Sequence, residues 1–114
     1  MQNQFRVEVR RLQDAAVIAV AGELDLASGP ELEAELERVA GPDMRLLVID
    51  LSGLEFMDST GLSIIVRAHQ RLDGEGCELG LVRGSPQVQR LLDLTGVAER
   101  LRIVDAPDEL INGH

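Results

Sequence analysis

The chain has 114 residues, of which 45% are apolar, and a formal net charge of −9. This length suits one domain, 1–114, and the apolar content is enough for one core without metals or disulfides. All of its basic residues other than histidine are arginines, and the acidic excess would repel a phosphate backbone. We therefore expect no nucleic-acid partner and regard basic protein surfaces as the better match.

The longest apolar runs, such as 15–21 and 46–49, are far shorter than the roughly 18 residues that a membrane-spanning helix needs. The sequence thus predicts a soluble chain with no membrane partner. Cys77 has no second cysteine with which to form a disulfide, and no charged-then-apolar leader opens the sequence. We expect a cytoplasmic protein.

The first two predicted elements are strands. Apolar and charged side chains alternate over 5–9, which is the pattern of an edge strand with one face in water. Residues 15–21 form an unbroken apolar run, typical of a central strand, and Gly22-Glu23-Leu24-Asp25 interrupts that run.

A helix is predicted to begin near Gly29. Ser28 and Glu31 have the spacing of a capping box, and Pro30 suits the first turn. Gly41-Pro42 ends the helix. Its apolar stripe is formed by Leu32, Leu36, Val39 and Ala40.

Strands and helices alternate along the rest of the chain. The apolar run 46–51 is expected to be a strand covered on both faces, and 62–72 has the pattern of a helix lying on a sheet. The later elements are a strand at 77–82, a helix over 85–96, a strand at 102–104 and a short helix from 105. This order predicts an α/β domain whose mixed, mainly parallel β-sheet has about five strands with helices packed on it.

The segment Asp58-Ser59-Thr60 lies where a predicted strand meets a predicted helix. Each residue is a good N-cap, so the simplest interpretation is a structural cap. Three candidates exceed what one cap requires, and Gly61 costs helix stability unless another backbone must approach closely, which favours a serine presented to another protein. Phe56 is expected in the core, and Met57 is expected to be an exposed contact because a thioether adapts to a partner surface.

Three motifs occur in a characteristic order and spacing: Gly22-Glu23-Leu24-Asp25, then Phe-Met-Asp-Ser-Thr-Gly-Leu at 56–62, then Leu-Leu-Asp-Leu-Thr-Gly-Val at 91–97. Together they resemble the bacterial anti-sigma factor antagonists of the STAS domain family, over nearly the whole chain. The resemblance implies a STAS-like fold and a transcription regulator that works by partner switching, in the manner of stress-response regulators, and not an enzyme.

By that resemblance, the unphosphorylated protein binds an anti-sigma factor and releases the sigma factor. The anti-sigma factor is also a serine kinase that would phosphorylate Ser59, which ends binding, and a serine phosphatase would reverse the modification. Ser63 stands where many relatives have Gly, a departure that bears on the fit to the partner and leaves the acceptor intact. The implied partner-binding residues are Glu23, Asp25, Met57, Asp58, Thr60, Gly61 and Leu62, with Arg67 and Arg71 as further candidates.

Other functions find little support in the sequence. The chain has no Gly-x-Ser-x-Gly elbow, His69 is expected to be a half-buried structural residue, and His114 ends the chain. We predict no catalytic residue, no cofactor and no metal site, since one cysteine and two scattered histidines do not make one. Asp50 is expected to be a structural carboxylate bonded to loop amides. The alternative function is a constitutive STAS scaffold of a signalling or transport assembly, in which Ser59 is never phosphorylated.

Overall fold

The structure is a computed structural model that describes residues 4–111. Its five strands are β1 (Arg6–Leu12), β2 (Ala15–Leu24), β3 (Leu46–Met57), β4 (Glu78–Val82) and β5 (Arg102–Val104). Its helices are α1 (Gly29–Val39), α2 (Ser59–Gly74), α3 (Pro86–Leu94) and α4 (Asp108–Ile111), with a 3₁₀ turn at Val97–Glu99. No helix within 4–111 is both long and apolar enough to cross a membrane.

The strands form one sheet in the order β1-β2-β3-β4-β5. β1 runs antiparallel to β2, and the other three neighbouring pairs are parallel. The predicted α/β fold with a mixed, mainly parallel sheet is therefore confirmed, as are the edge position of the first strand and the central position of the second, which lies between β1 and β3.

Helices cover both faces of the sheet. On one face, the main core joins strand residues such as Ile18 and Ile49 to helix residues from α1, α2 and α3. On the other face, Leu110 of α4 packs in a smaller cluster with Val17 and Val48. A Cβ at position 80 would collide with Leu110, so Gly80 makes room for this contact. This two-sided cover explains why Leu46 to Ile49 are fully buried.

Two strands run further than their apolar runs predict. β2 continues through Gly22, whose φ of +92° suits glycine, to Leu24, and β3 continues past Leu51 to Met57. The two extensions pair with each other, with Leu24 opposite Met57. Backbone pairing requires no apolar side chains, so hydrophobic runs alone underestimate the lengths of both strands. As a result, the loop after β2 lies beside the end of β3.

Candidate functional site

The β3–α2 junction has a single residue between strand and helix. Asp58 has extended backbone angles, and its Oδ1 accepts hydrogen bonds from the backbone N–H groups of Thr60 at 2.9 Å and Gly61 at 3.1 Å. The Asp58 carbonyl accepts a further bond from the Leu62 N–H. The structural cap anticipated for this cluster is therefore Asp58, and it satisfies the helix start without the neighbouring hydroxyls.

Ser59 is the first residue of α2 and is exposed to solvent. Its hydroxyl makes no hydrogen bond to any residue within 4–111. Thr60, the next residue, is half-buried. The junction therefore holds an exposed hydroxyl at a fixed position that the fold itself does not use.

Two elements, β2 and α3, hold the residues that precede Ser59. The Asp58 N–H donates to the Leu24 carbonyl at the end of β2, 3.2 Å away. The side-chain amide of Gln87, in the first turn of α3, accepts a bond from the Met57 N–H at 3.1 Å and donates to the Met57 carbonyl at 3.0 Å. Sequence reasoning missed Gln87, since one polar residue on a helix shows no pattern that would reveal its distant backbone partner.

Gly61 allows α2 to start close to the sheet. A Cβ at this position would lie 2.8 Å from both Leu24 Cγ and Met57 Cγ. The close approach expected for this glycine is present, but it is made by two core side chains and not by another backbone. Gly61 and Leu62 are both buried, so they shape the junction and contribute little to its outer surface.

The predicted exposures of Met57 and Phe56 are wrong. Met57 is fully buried, whereas 41% of Phe56 is exposed. Met57 pairs with Leu24, and residues opposite each other on neighbouring strands project from the same face, which here is the face under α2. The preceding residue, Phe56, projects from the opposite face. Phe56 therefore takes the place of Met57 as a candidate contact residue.

The β2–α1 loop is folded by its own polar side chains. Asp25 Oδ1 accepts from the backbone N–H groups of Ala27 and Ser28, and Ser28 Oγ donates to the Glu23 carbonyl at 2.7 Å. The predicted capping box is wrong, because buried Ser28 makes these bonds and no side-chain cap bond to α1. Asp25 thus shapes the loop, while Glu23 and Leu26 are exposed. Leu26 was not predicted as a contact.

Ion pairs join the exposed sides of α1 and α2. Arg67 lies 3.1 Å from the Glu33 carboxylate, and Arg71 lies 3.8 Å from that of Glu37. These arginines therefore face carboxylates of the same chain, and a partner that contacted them would compete with α1.

The structure places His69 too far from Ser59 to act as its base. His69 lies ten residues further along α2, which corresponds to about 15 Å of helix rise. His114 lies outside the described residues. The carboxylate of Asp50 is structural, as predicted, but it accepts a bond at 2.9 Å from the Ser52 N–H within β3 and not from the predicted loop amides. Within 4–111, no three His, Cys, Asp or Glu residues form a group that could hold a metal ion.

Comparisons with known proteins agree with this architecture. The model of the STAS domain family matches residues 6–110. The anti-sigma-B factor antagonist of Listeria monocytogenes is 34% identical over 109 residues, which cover 95% of each chain. The anti-sigma-F factor antagonist RsfB of Mycobacterium tuberculosis is 30% identical over 111 residues, which cover 97% of this chain and 90% of that protein.

A crystal structure of an anti-sigma factor antagonist from Mycobacterium paratuberculosis has a TM-score of 0.87 at 29% identity, over 96% of this chain and 93% of that chain. With these matches, the chain belongs to the STAS domain family. The relatives are named as antagonists of other proteins and not as enzymes, in agreement with the predicted class of binding regulator.

Proposed function

We propose that this STAS domain, 1–114, is a cytoplasmic anti-sigma factor antagonist controlled at Ser59. Its unphosphorylated form binds an anti-sigma factor that is also a serine kinase, and the sigma factor is released. Phosphorylation of Ser59 ends binding, and a serine phosphatase restores it. The observation that supports this proposal most directly is the exposed, unbonded hydroxyl of Ser59 at the start of α2. The names of the relatives support the class of partner.

Exposed apolar and charged side chains lie at the same end of the sheet as Ser59. We define the carboxyl-edge surface as Glu23, Leu26, Phe56 and Ser59, which lie within two residues of the ends of the neighbouring strands β2 and β3. Leu26 is 77% exposed and Phe56 is 41% exposed. Large exposed apolar side chains beside charged residues are typical of protein interfaces, since docking removes their apolar area from water.

We propose that the remaining predicted contact residues support this surface and make little direct contact with the partner. Asp58 and Thr60 are half-buried, and Met57, Gly61 and Leu62 are buried. Asp25 orders the loop that presents Glu23 and Leu26. These residues would determine the shape that the partner recognises, while the carboxyl-edge surface would make most of the direct contact.

A phosphate on Ser59 would alter binding more than folding. It adds a charge of about −1.5 to −2 at the start of α2, where the helix dipole favours an anion and the Asp58 carboxylate opposes it. The two effects oppose each other in the free protein. In a desolvated interface the same charge must find a cation or disrupt contacts, and a loss of about 2.7 kcal/mol reduces affinity roughly a hundredfold.

Affinity capture tests this proposal. Wild-type protein, Ser59→Ala and Ser59→Asp are immobilised and exposed to an extract of the cells that make the protein. We expect an anti-sigma factor with a kinase domain on wild type and Ser59→Ala, and at least about tenfold less on Ser59→Asp. Ser52→Asp is the matched control, since it adds the same charge at an exposed serine of β3. Equal capture of one assembly by all four forms would contradict the switch and favour the constitutive scaffold.

A further inference from the structure

Among the residues that the structure describes, the end of β3 has a strand partner on one side but no neighbouring strand on the other. β3 pairs with β4 as far as Asp50, which lies opposite Val82, the last residue of β4. On its other side, β3 stays paired with β2 up to Met57. The backbone groups of Met57 that face away from β2 therefore need a partner from elsewhere in the molecule.

Gln87 supplies that partner from α3. Its side-chain amide bonds both the N–H and the carbonyl of Met57, at 3.1 Å and 3.0 Å. One amide thus donates to and accepts from the same residue, as a residue of a neighbouring strand would do. Met57 is separated from Ser59 by Asp58 alone, and Asp58 is itself bonded to the Leu24 carbonyl. The acceptor segment is consequently fixed on both sides.

We infer that Gln87 is a positioning residue for the phosphorylation of Ser59. The inference rests on the proposed function, because it concerns the geometry with which Ser59 is offered to the kinase. Phosphoryl transfer depends on alignment of the attacking hydroxyl, and a displacement of about 1 Å can reduce the rate by up to about a hundredfold. Gln87 acts through the Met57 backbone and does not touch the reacting oxygen.

The location of Gln87 allows its effect on the position of Ser59 to be measured apart from any effect on folding. Gln87 is exposed, and the core residues of α3 that hold the helix on the sheet are Val88 and Leu92. Its replacement by alanine removes two hydrogen bonds and should leave the packing of α3 unchanged. Gln89 offers a matched control on the same helix, since its side chain bonds Asp93 and not the β3–α2 junction.

The first measurement examines the two hydrogen bonds directly. Amide exchange at Met57 is followed by NMR for wild type, Gln87→Ala, Gln87→Glu and Gln89→Ala. We expect Gln87→Ala to exchange about tenfold faster at Met57, as the loss of a hydrogen bond permits. Gln87→Glu keeps an acceptor for the N–H but places a carboxylate oxygen against the Met57 carbonyl, so it should also exchange faster. Unchanged exchange in both Gln87 variants would overturn the inference.

The second measurement follows the modification. Each purified form is added with ATP to an extract of the cells that make the protein, and the initial rate of Ser59 phosphorylation is measured by peptide mass spectrometry. We expect both Gln87 variants to be modified at least about fivefold more slowly than wild type and Gln89→Ala, within the range that misalignment allows. Capture of the kinase by the Gln87 variants, measured without ATP, should stay within about twofold of wild type, since the carboxyl-edge surface is intact.

The outcomes distinguish the inference from the proposal on which it rests. If wild type acquires phosphate at Ser59 and both Gln87 variants acquire it at the same rate, Gln87 is not a positioning residue, although the switch stands. If wild type acquires no phosphate at Ser59, the proposed function fails, and the inference fails with it.

Discussion

Two strand-to-helix junctions of this chain use serine in opposite ways. At the β4–α3 junction, Ser85 is the N-cap of α3, and its Oγ accepts a bond from the Val88 N–H at 3.3 Å. At the β3–α2 junction, Asp58 is the cap and Ser59 is the first helical residue, with its hydroxyl exposed and unbonded within 4–111. A shift of one position relative to the cap therefore decides whether a serine stabilises the fold or is available to another molecule.

The β4–α3 junction is longer than the β3–α2 junction, and the helix that follows it supports the β3–α2 junction. Residues 83–85 separate β4 from α3, whereas Asp58 alone separates β3 from α2. The longer connection lets the start of α3 reach across to the end of β3, where Gln87 bonds Met57. The helix that follows the β4–α3 junction thus helps to hold the β3–α2 junction, which presents Ser59.

The largest expected difference in stability lies between two adjacent residues at the end of β3, just before the β3–α2 junction. Met57→Ala removes a fully buried side chain and should lower the free energy of unfolding by about 2–5 kcal/mol. Phe56→Ala should lower it by less than about 1 kcal/mol while reducing capture of the partner. Urea unfolding and affinity capture measure the two effects. Similar stability losses for both variants would mean that the faces of β3 are assigned incorrectly.

The two glycines of α2 should respond in opposite directions. Gly61→Ala places a methyl group against Leu24 and Met57, at an overpacking cost of about 1–3 kcal/mol that is partly offset by about 1 kcal/mol of helix propensity. Gly74→Ala meets no atom of residues 4–111 within 4 Å and should be neutral or stabilising by up to about 1 kcal/mol. Thermal unfolding compares the variants, and a gain in stability for Gly61→Ala would contradict close packing at this junction.

A smaller effect on stability is expected from removing the hydroxyls of Ser85 and Ser59. Ser85→Ala removes the α3 cap and should cost about 1 kcal/mol, whereas Ser59→Ala should change stability by less than about 0.5 kcal/mol. Both are measured by urea unfolding of unphosphorylated protein. A larger cost for Ser59→Ala than for Ser85→Ala would show that the Ser59 hydroxyl serves the fold.

The smallest effect is expected at Cys77, which directly precedes β4 at the opposite end of that strand from the β4–α3 junction. Burial, and next the nearby carboxylate of Glu75, raise the pKa of the Cys77 thiol. Below the ordinary pKa of a thiol, about 8.5, both states keep the proton; above it the unfolded thiol ionises first, so the free energy of unfolding falls as pH rises. Cys77→Ala should remove this part of the alkaline slope in urea unfolding at several pH values. An unchanged slope would contradict a raised pKa of the Cys77 thiol in the folded protein.

The sequence was sufficient for the features that arise from local patterns. Alternation marked β1 as an edge strand, the continuous apolar run of 46–51 marked β3 as covered on both faces, and the helix starts at Gly29 and Pro86 followed from turn and proline signals. Asp58 was among the cap candidates. These features depend on neighbours in the chain, which a single sequence displays.

The sequence was insufficient wherever long-range pairing decided the outcome. Met57 and Phe56 exchanged their expected faces because the register between β2 and β3 fixes which of them lies under α2. One local assignment also failed: the spacing of Ser28 and Glu31 predicted a capping box, but Ser28 Oγ donates to the Glu23 carbonyl, five residues earlier in the chain. Gln87 acts on a residue 30 positions away, a distance at which helix periodicity carries no information.

The most direct test of the central claim is phosphopeptide mapping of the protein isolated from its own cells during resting and stressed growth. The exposed Ser59 should carry one phosphate in a fraction of the molecules, while Ser28, buried in its loop, and Ser85, bonded as a cap, should carry none. Absence of phosphate from Ser59 under both conditions, or its presence on Ser85 instead, would contradict the account.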